Sequence, residues 1–80
     1  MLSKLKTNNK VVGAKQVKRA LNSKEVEAVF IAKEAESKIT DEIVKICNDK
    51  QVQVIYIDSM KELGNACGID VKAATAALLK

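Results

Sequence analysis

Two apolar runs, separated by a segment of helical periodicity, constrain the fold of this chain more than any other feature of its sequence. Residues 27–32 and 52–57 are rich in apolar and β-branched side chains, so each run predicts a strand. The first run is apolar at nearly every position, which is typical of a strand that is covered on both faces. Two such strands joined through a helix favour a mainly parallel or mixed sheet with helices packed against it.

A short strand and a basic helix precede the first run. Residues 10–12 predict the strand, and Gly13 separates it from a segment in which apolar side chains recur at helical spacing, namely Ala14, Val17, Ala20 and Leu21. The polar residues between them point away from the predicted core. Residues 2–9 are compatible with a short polar helix or with a flexible lead-in.

Capping residues indicate two more helices. Thr40 predicts the N-cap of the next helix, which runs to about residue 50, because two acidic residues follow it. Ser59 and Glu62 predict a capping box that opens a third helix, and Gly68 suits the left-handed position that ends it. Residues 73–79 have a composition that favours helix, but a strand here completes the alternation, and we predict a strand.

The resulting order, β-α-β-α-β-α-β, predicts a single domain over residues 1–80. Its fold class is α/β: a three-layer α/β/α sandwich with a mixed four-stranded sheet. No segment approaches the roughly 18 apolar residues of a membrane span, and the first residues lack the apolar core of a secretory signal. We therefore expect a cytoplasmic monomer that does not bind membranes.

The composition leaves little material for catalysis. The chain has no histidine, so the commonest general base and metal ligand is absent. Its two cysteines, Cys47 and Cys67, lack the spacing of a zinc site, and we expect reduced core thiols rather than a disulfide. Cys67 is interpreted as a packing residue and not as a nucleophile. We expect no enzymatic activity, no metal and no cofactor.

Positive charge is concentrated at the start of the chain. The formal net charge is +4, and residues 1–24 contain no acidic residue but seven basic ones, which are Lys4, Lys6, Lys10, Lys15, Lys18, Arg19 and Lys24. Such a block gains free energy from phosphate contacts by releasing counterions. A solubilising surface explains the same pattern, and charge alone does not separate the two interpretations.

The segment from Gly13 to Arg19 is the first candidate site. A glycine before a helix lets the backbone approach a ligand, and the amides of the helix N-terminus attract phosphate. Gln16 can donate and accept hydrogen bonds, as the reading of a base edge requires, and Lys15 and Arg19 can donate to guanine O6 and N7 or to phosphates. The alternative is a helix start with solubilising side chains, since the spacing matches no phosphate-loop or dinucleotide motif.

Two further segments are weaker candidates. In residues 63–71, Gly64 and Gly68 bracket Cys67, and the aliphatic residues Ile69 and Val71 follow in a predicted loop, where they either lie against splayed bases or pack into the core. Residues 33–39 form a polar loop with two acids, Glu34 and Glu36. These acids could act as an acid–base or metal-binding pair, although a solvated surface is the usual role of such residues.

Three of these segments together resemble one known family. Residues Gly13–Leu21, Ile31–Glu36 and Leu63–Ile69 occur in the order and approximate spacing of the kink-turn RNA-binding ribosomal family named after the L-seven-Ae protein. The resemblance covers nearly all of residues 10–80 and is greatest to the short bacterial members. The third motif, LGxAxG followed by an aliphatic residue, is the most specific.

The resemblance implies an α/β/α sandwich that binds RNA at an internal loop with tandem sheared G·A pairs. The resemblance implies that the helix start at Gly13 and Ala14 enters the opened groove, where Lys15 and Gln16 contact the guanines. It also implies that Lys18 and Arg19 contact nearby bases or phosphates. Glu36 would lie near the flipped-out nucleotide, and the segment after the third helix would stack on loop bases through Ile69, Asp70 and Val71. The RNA would belong to the ribosome or to a structured mRNA leader such as a riboswitch.

The chain departs from the pattern of archaeal and eukaryotic relatives at several positions. They carry Asn-Glu at Lys15-Gln16 and lysine at Arg19, and some carry lysine at Met60 and arginine at Val71. The resemblance therefore implies fewer contacts around the flipped base and a different RNA preference. The alternative function is a small protein–protein interaction module of the translation apparatus that lacks specific RNA readout.

Overall fold

Strands and helices alternate through the computed structural model, which describes residues 9–23, 26–69 and 71–80. Within these residues there are four strands and three helices: β1 (Lys10–Val12), α1 (Ala14–Ser23), β2 (Val26–Ala32), α2 (Ser37–Lys50), β3 (Gln53–Ile57), α3 (Met60–Cys67) and β4 (Thr75–Leu79). This order confirms the predicted alternation. The two interpretations of residues 2–9 concern a segment that lies outside the described residues.

The strands form one sheet in the order β1-β4-β2-β3. The two apolar runs of the sequence pair in parallel, with Phe30 opposite Ile55. The last strand lies inside the sheet and is antiparallel to both neighbours, with Ala77 opposite Val11 on one side and Val29 on the other. The predicted mixed four-stranded sheet is therefore confirmed.

Alternate residues of β2 pack into two separate cores on opposite faces of the sheet. Phe30 lies in the cluster that contains Leu63 of α3. Val29 and Ile31 point to the other face and lie in the cluster that contains Val17 of α1 and residues of α2. Helices α1 and α2 thus cover one face and α3 covers the other, which gives the three predicted layers. This two-sided burial explains why the first run is apolar at successive positions.

The start of α2 differs from the prediction. The helix begins at Ser37, three residues before the predicted N-cap, and Glu36 is the N-cap with an extended backbone and no side-chain capping bond. Thr40 is buried within the first turn, where its hydroxyl donates to the Glu36 carbonyl at 3.4 Å. The reason is tertiary: Ile39 lies one turn before Ile43 and packs against the same core, so its burial extends the helix toward the N-terminus.

The ends of α3 lie where they were predicted, and of the two bonds of the predicted capping box the structure shows the one that Ser59 accepts. Ser59 is the N-cap, and its hydroxyl oxygen accepts a hydrogen bond from the Glu62 amide at 3.0 Å. Gly68 ends the helix with a φ of 78°, and its amide donates to the Asn65 carbonyl. The last strand is shorter than predicted, because Ala73 precedes β4 and donates its amide to the Met60 carbonyl instead of joining the sheet.

The two cysteines are buried on opposite faces of the sheet. Cys47 lies in the core beneath α1 and α2, whereas Cys67 lies in the core beneath α3. Burial raises the pKa of both thiols, and for Cys67 the nearby Lys10 offsets part of that rise in pKa. Both therefore pack as small apolar groups.

No helix of the described ranges is long and apolar enough to cross a bilayer.

The raised thiol pKa values predict a loss of stability in alkaline solution. The unfolded chain releases its thiol protons at a lower pH than the folded chain does, so ionisation favours unfolding. We expect the free energy of unfolding to fall as the pH rises above about 9, and to fall less steeply in the double variant Cys47→Ala, Cys67→Ala. Urea titrations between about pH 8 and 10 measure both slopes. Parallel slopes for the two proteins would contradict the assignment.

Candidate nucleic-acid interface

The connections that carry the predicted site residues meet at one end of the sheet. The Gly13 amide donates to the Thr75 carbonyl at 3.0 Å, the Ala32 amide to the Ala74 carbonyl at 2.9 Å, and the Lys33 amide to the Ile57 carbonyl at 2.7 Å. These bonds hold the carboxyl ends of β1, β2 and β3 and the start of β4 side by side. The start of α1, the loop before α2 and the segment before β4 therefore share this end.

The turn at Gly13 sets the direction of α1. Its φ of 103° lies in the region that L side chains rarely adopt, although a Cβ here would meet no atom within 4 Å. Glycine is thus required for its backbone conformation and not for space. The first helical hydrogen bond joins the Val17 amide to the Gly13 carbonyl at 2.9 Å, so the amides of residues 14–16 precede it. With no acidic residue in the first turn, this end keeps the positive partial charge of a helix N-terminus.

Three predicted site residues share the outer face of α1. Lys15, Gln16 and Arg19 are exposed, and their spacing places them together on the helix surface. The buried side of the same helix is formed by Val17, Ala20 and Leu21. Ala14 is half-buried, and its side chain packs against that core. A ligand would therefore contact Ala14 through its backbone. We name the exposed set Lys15, Gln16 and Arg19 the α1 face.

Lys18 lies apart from the α1 face. Its ammonium is 2.7 Å from the Glu42 carboxylate of α2, and its side chain is one-third exposed. The ion pair joins the two helices that cover this side of the sheet. The predicted contact of Lys18 with bases or phosphates stays a prediction, and Glu42 competes with any phosphate for this ammonium.

The two acids of the loop before α2 have different surroundings. The Glu34 carboxylate accepts a hydrogen bond from the Met60 amide at 2.7 Å, which places it at the start of α3. Glu36 is exposed at the N-cap of α2, where it borders an open depression together with Ser37 and Lys38. Within the residues that the structure describes, no cluster of three or more His, Cys, Asp or Glu side chains could hold a metal ion.

The two aliphatic residues after α3 have different surroundings. Ile69 is half-buried and packs against the core beneath α3, whereas Val71 is 68% exposed. Core packing is thus observed for Ile69 and not for Val71, and the contact of either residue with loop bases stays a prediction. Asp70, the third predicted site residue of this segment, lies outside the described residues.

Comparison with known proteins places the chain in a family. Residues 1–80 match the family model described as the Ribosomal protein L7Ae/L30e/S12e/Gadd45 family. The chain belongs to this family. The resemblance of the three sequence motifs is confirmed by a match over the whole length.

Bacterial relatives of this L7Ae-family chain are similar over most of their length. It is 51% identical over 70 residues to "RNA-binding protein BH0128" of Halalkalibacterium halodurans, covering 88% of this chain and 85% of the relative. It is 52% identical over 68 residues to "RNA-binding protein TTE2299" of Caldanaerobacter subterraneus subsp. tengcongensis, covering 85% and 83%. Among solved structures, "Giardia lamblia 15.5kD RNA binding protein" has a TM-score of 0.90 at 28% identity and covers 99% of this chain and 70% of that chain.

Gly64 shapes the candidate interface of this L7Ae-family chain, although no separate role was predicted for it. It is buried in α3, and a Cβ built on it would overlap the carbonyl oxygen of Val71. The absence of a side chain lets the segment before β4 pass directly against the helix. The signal was present in the LGxAxG motif, but the atom that Gly64 must accommodate belongs to a segment whose path the sequence does not reveal.

Replacement of Gly64 by alanine tests this close approach. Alanine normally stabilises a helix relative to glycine by about 1 kcal/mol. Here we expect Gly64→Ala to lower the free energy of unfolding by about 1–3 kcal/mol, because the backbone of the Val71 segment must move. The neighbouring exposed Asn65→Ala is the matched control and should be neutral or slightly stabilising in the same thermal unfolding experiment. Stabilisation by Gly64→Ala would show that the segment does not rest on α3.

Proposed function

We propose that this L7Ae-family chain is a non-catalytic RNA-binding protein that recognises kink-turns, which are bent internal loops with tandem sheared G·A pairs. The observation that carries the proposal is the α1 face, an exposed Lys-Gln-Arg surface at a basic helix N-terminus. The RNA-binding names of the similar proteins support it. The proposed RNA is ribosomal RNA or a structured mRNA leader.

Recognition requires RNA whose groove is open. The major groove of regular A-form RNA is too deep and narrow for side chains to read, and a kinked internal loop exposes base edges that a helix end can reach. The Lys15 ammonium can donate to guanine O6 and N7, and the Gln16 amide can donate and accept along a base edge. The free amides at residues 14–16 and the guanidinium of Arg19 suit the adjacent phosphates.

The other connections at this end of the sheet suit contacts beside the G·A pairs. Val71 presents an exposed apolar side chain that can lie on an unstacked base, and the exposed carboxylate of Glu36 can accept from an extruded nucleotide. Because such contacts form together only on bent RNA, binding would shift the RNA population toward its kinked form.

A double substitution on the α1 face tests the proposal. We expect Lys15→Ala, Gln16→Ala to weaken kink-turn binding at least several-fold, since each lost base contact is worth about 1–3 kcal/mol by analogy with DNA readout. The matched control is Lys50→Ala, Gln53→Ala, which removes the same side-chain types from exposed positions at the opposite end of the sheet. Gel-shift titrations at one fixed salt concentration measure both.

The choice of RNA separates specific reading from attraction to a polyanion. The second probe is the same RNA with its sheared pairs replaced by Watson–Crick pairs. We expect the wild-type protein to bind the kink-turn RNA more tightly than its Watson–Crick counterpart. We expect the control substitutions to lower the affinity for both RNAs slightly and by the same factor. Equal affinity of the wild type for the two RNAs, or equal losses in the two variants, would reject the proposal.

A further inference from the structure

An exposed acidic side chain lies at an interface that we propose for RNA, although its charge repels phosphate. Glu34 follows β2 by two residues, and its carboxylate accepts the amide hydrogen of Met60 at 2.7 Å. Met60 is the first residue of α3, whose early amides lack partners within the helix. The contact therefore joins the loop before α2 to the helix on the other face of the sheet.

The backbone of Met60 continues this connection to the segment before β4. Its carbonyl accepts the Ala73 amide at 3.1 Å, so the residue is bonded to Glu34 through its N–H and to Ala73 through its C=O. One helical turn further on, Gly64 lies directly beneath the carbonyl of Val71. The start of α3 is thus a shared support for the loop before α2 and for the segment that presents Val71.

Backbone hydrogen bonds near Glu34 also hold the loop before α2 in place. The Ala35 amide donates to the Ala32 carbonyl at 3.1 Å, and the Lys33 amide donates to the Ile57 carbonyl at 2.7 Å. The Lys33 ammonium is also 3.3 Å from the Asp58 carboxylate. Glu36 lies only two residues beyond Glu34, so the contacts of Glu34 and its neighbours also restrict the position of Glu36.

We propose that Glu34 is a positioning residue for RNA recognition. Its carboxylate fixes the Glu36 loop relative to Val71, so that both can contact one kinked RNA without first being ordered. Ordering of loops on association lowers affinity, and a preformed arrangement avoids that loss. This inference rests on the proposed function, because it assumes that both segments contact RNA.

The sign of the effect distinguishes positioning from electrostatics. If Glu34 acted only through its charge, removal of that charge would strengthen RNA binding, for Glu34→Ala and Glu34→Gln alike. If it acts by accepting the Met60 amide, Glu34→Ala should weaken binding to a kink-turn RNA about fivefold. Glu34→Gln retains a side-chain oxygen acceptor and should stay within about twofold of the wild type.

A third variant controls for a general weakening of α3. Ser59→Ala removes the N-cap bond to the Glu62 amide but leaves the Glu34 contact in place. We expect it to lower the melting temperature while the kink-turn affinity stays within about twofold of the wild type. Gel-shift titration with the kink-turn RNA and with its Watson–Crick counterpart, together with thermal unfolding, measures the wild type and all three variants.

Amide hydrogen exchange provides a readout that does not involve RNA. Glu34→Ala should accelerate exchange at Met60 and Ala73, whereas Ser59→Ala should accelerate it at Glu62. The inference is overturned if Glu34→Ala binds as well as the wild type, if Ser59→Ala loses as much affinity, or if exchange at Met60 and Ala73 is unchanged. A wild type that does not prefer the kink-turn RNA rejects the proposed function instead, and that result is read from the wild type alone.

Discussion

Strand β4 lies between β1 and β2, and its pairing with both positions the loops of the candidate interface. Its first residue, Thr75, is fully buried; the hydroxyl donates to the Phe30 carbonyl at 2.8 Å, and the carbonyl accepts the Gly13 amide at 3.0 Å. One residue thus joins three strands at the end of the sheet where α1 begins. Two small residues follow, Ala76 and Ala77, which face opposite cores and leave room for helices on both faces.

The candidate interface combines a hydrogen-bonded backbone with side chains that have different surroundings. The start of α1 is held by backbone bonds, so the α1 face needs no protein partner to keep its place. Neighbouring charged residues are already engaged: Lys18 with Glu42, Lys33 with Asp58, and Glu34 with a helix amide. These contacts reduce the charge available to bind anions without selectivity.

The features that the sequence predicted depend on neighbours close in the chain. Strands β1, β2 and β3 followed from runs of apolar and β-branched residues, and the cap at Ser59 and the left-handed turn at Gly68 from local hydrogen bonding. Strand β4 is the exception, because its composition favours helix and it was predicted only to complete the alternation. The features that it missed depend on distant partners. Glu34 meets an amide 26 residues away and Lys18 a carboxylate 24 residues away. The early start of α2 follows from burial of Ile39 and from an N-cap without a side-chain bond, neither of which local patterns disclose.

The site residues follow the same division. The α1 face could be predicted, because helical periodicity separates exposed Lys15, Gln16 and Arg19 from their buried neighbours. The different surroundings of Ile69 and Val71 could not, since both are aliphatic and lie in one loop. Their separation depends on the close passage of the Val71 carbonyl over Gly64, a contact between a helix and the connection that follows it.

The bond between Gly13 and Thr75 also has a consequence for folding during synthesis. The turn that aims α1 is anchored by a residue near the other end of the sequence, and β1 has no sheet neighbour among the described residues until β4 is available. Such distant pairings form slowly and late. A nascent chain that has not reached residue 75 therefore carries the basic residues of α1 without the sheet pairing and the Gly13–Thr75 bond that fix the direction of the helix.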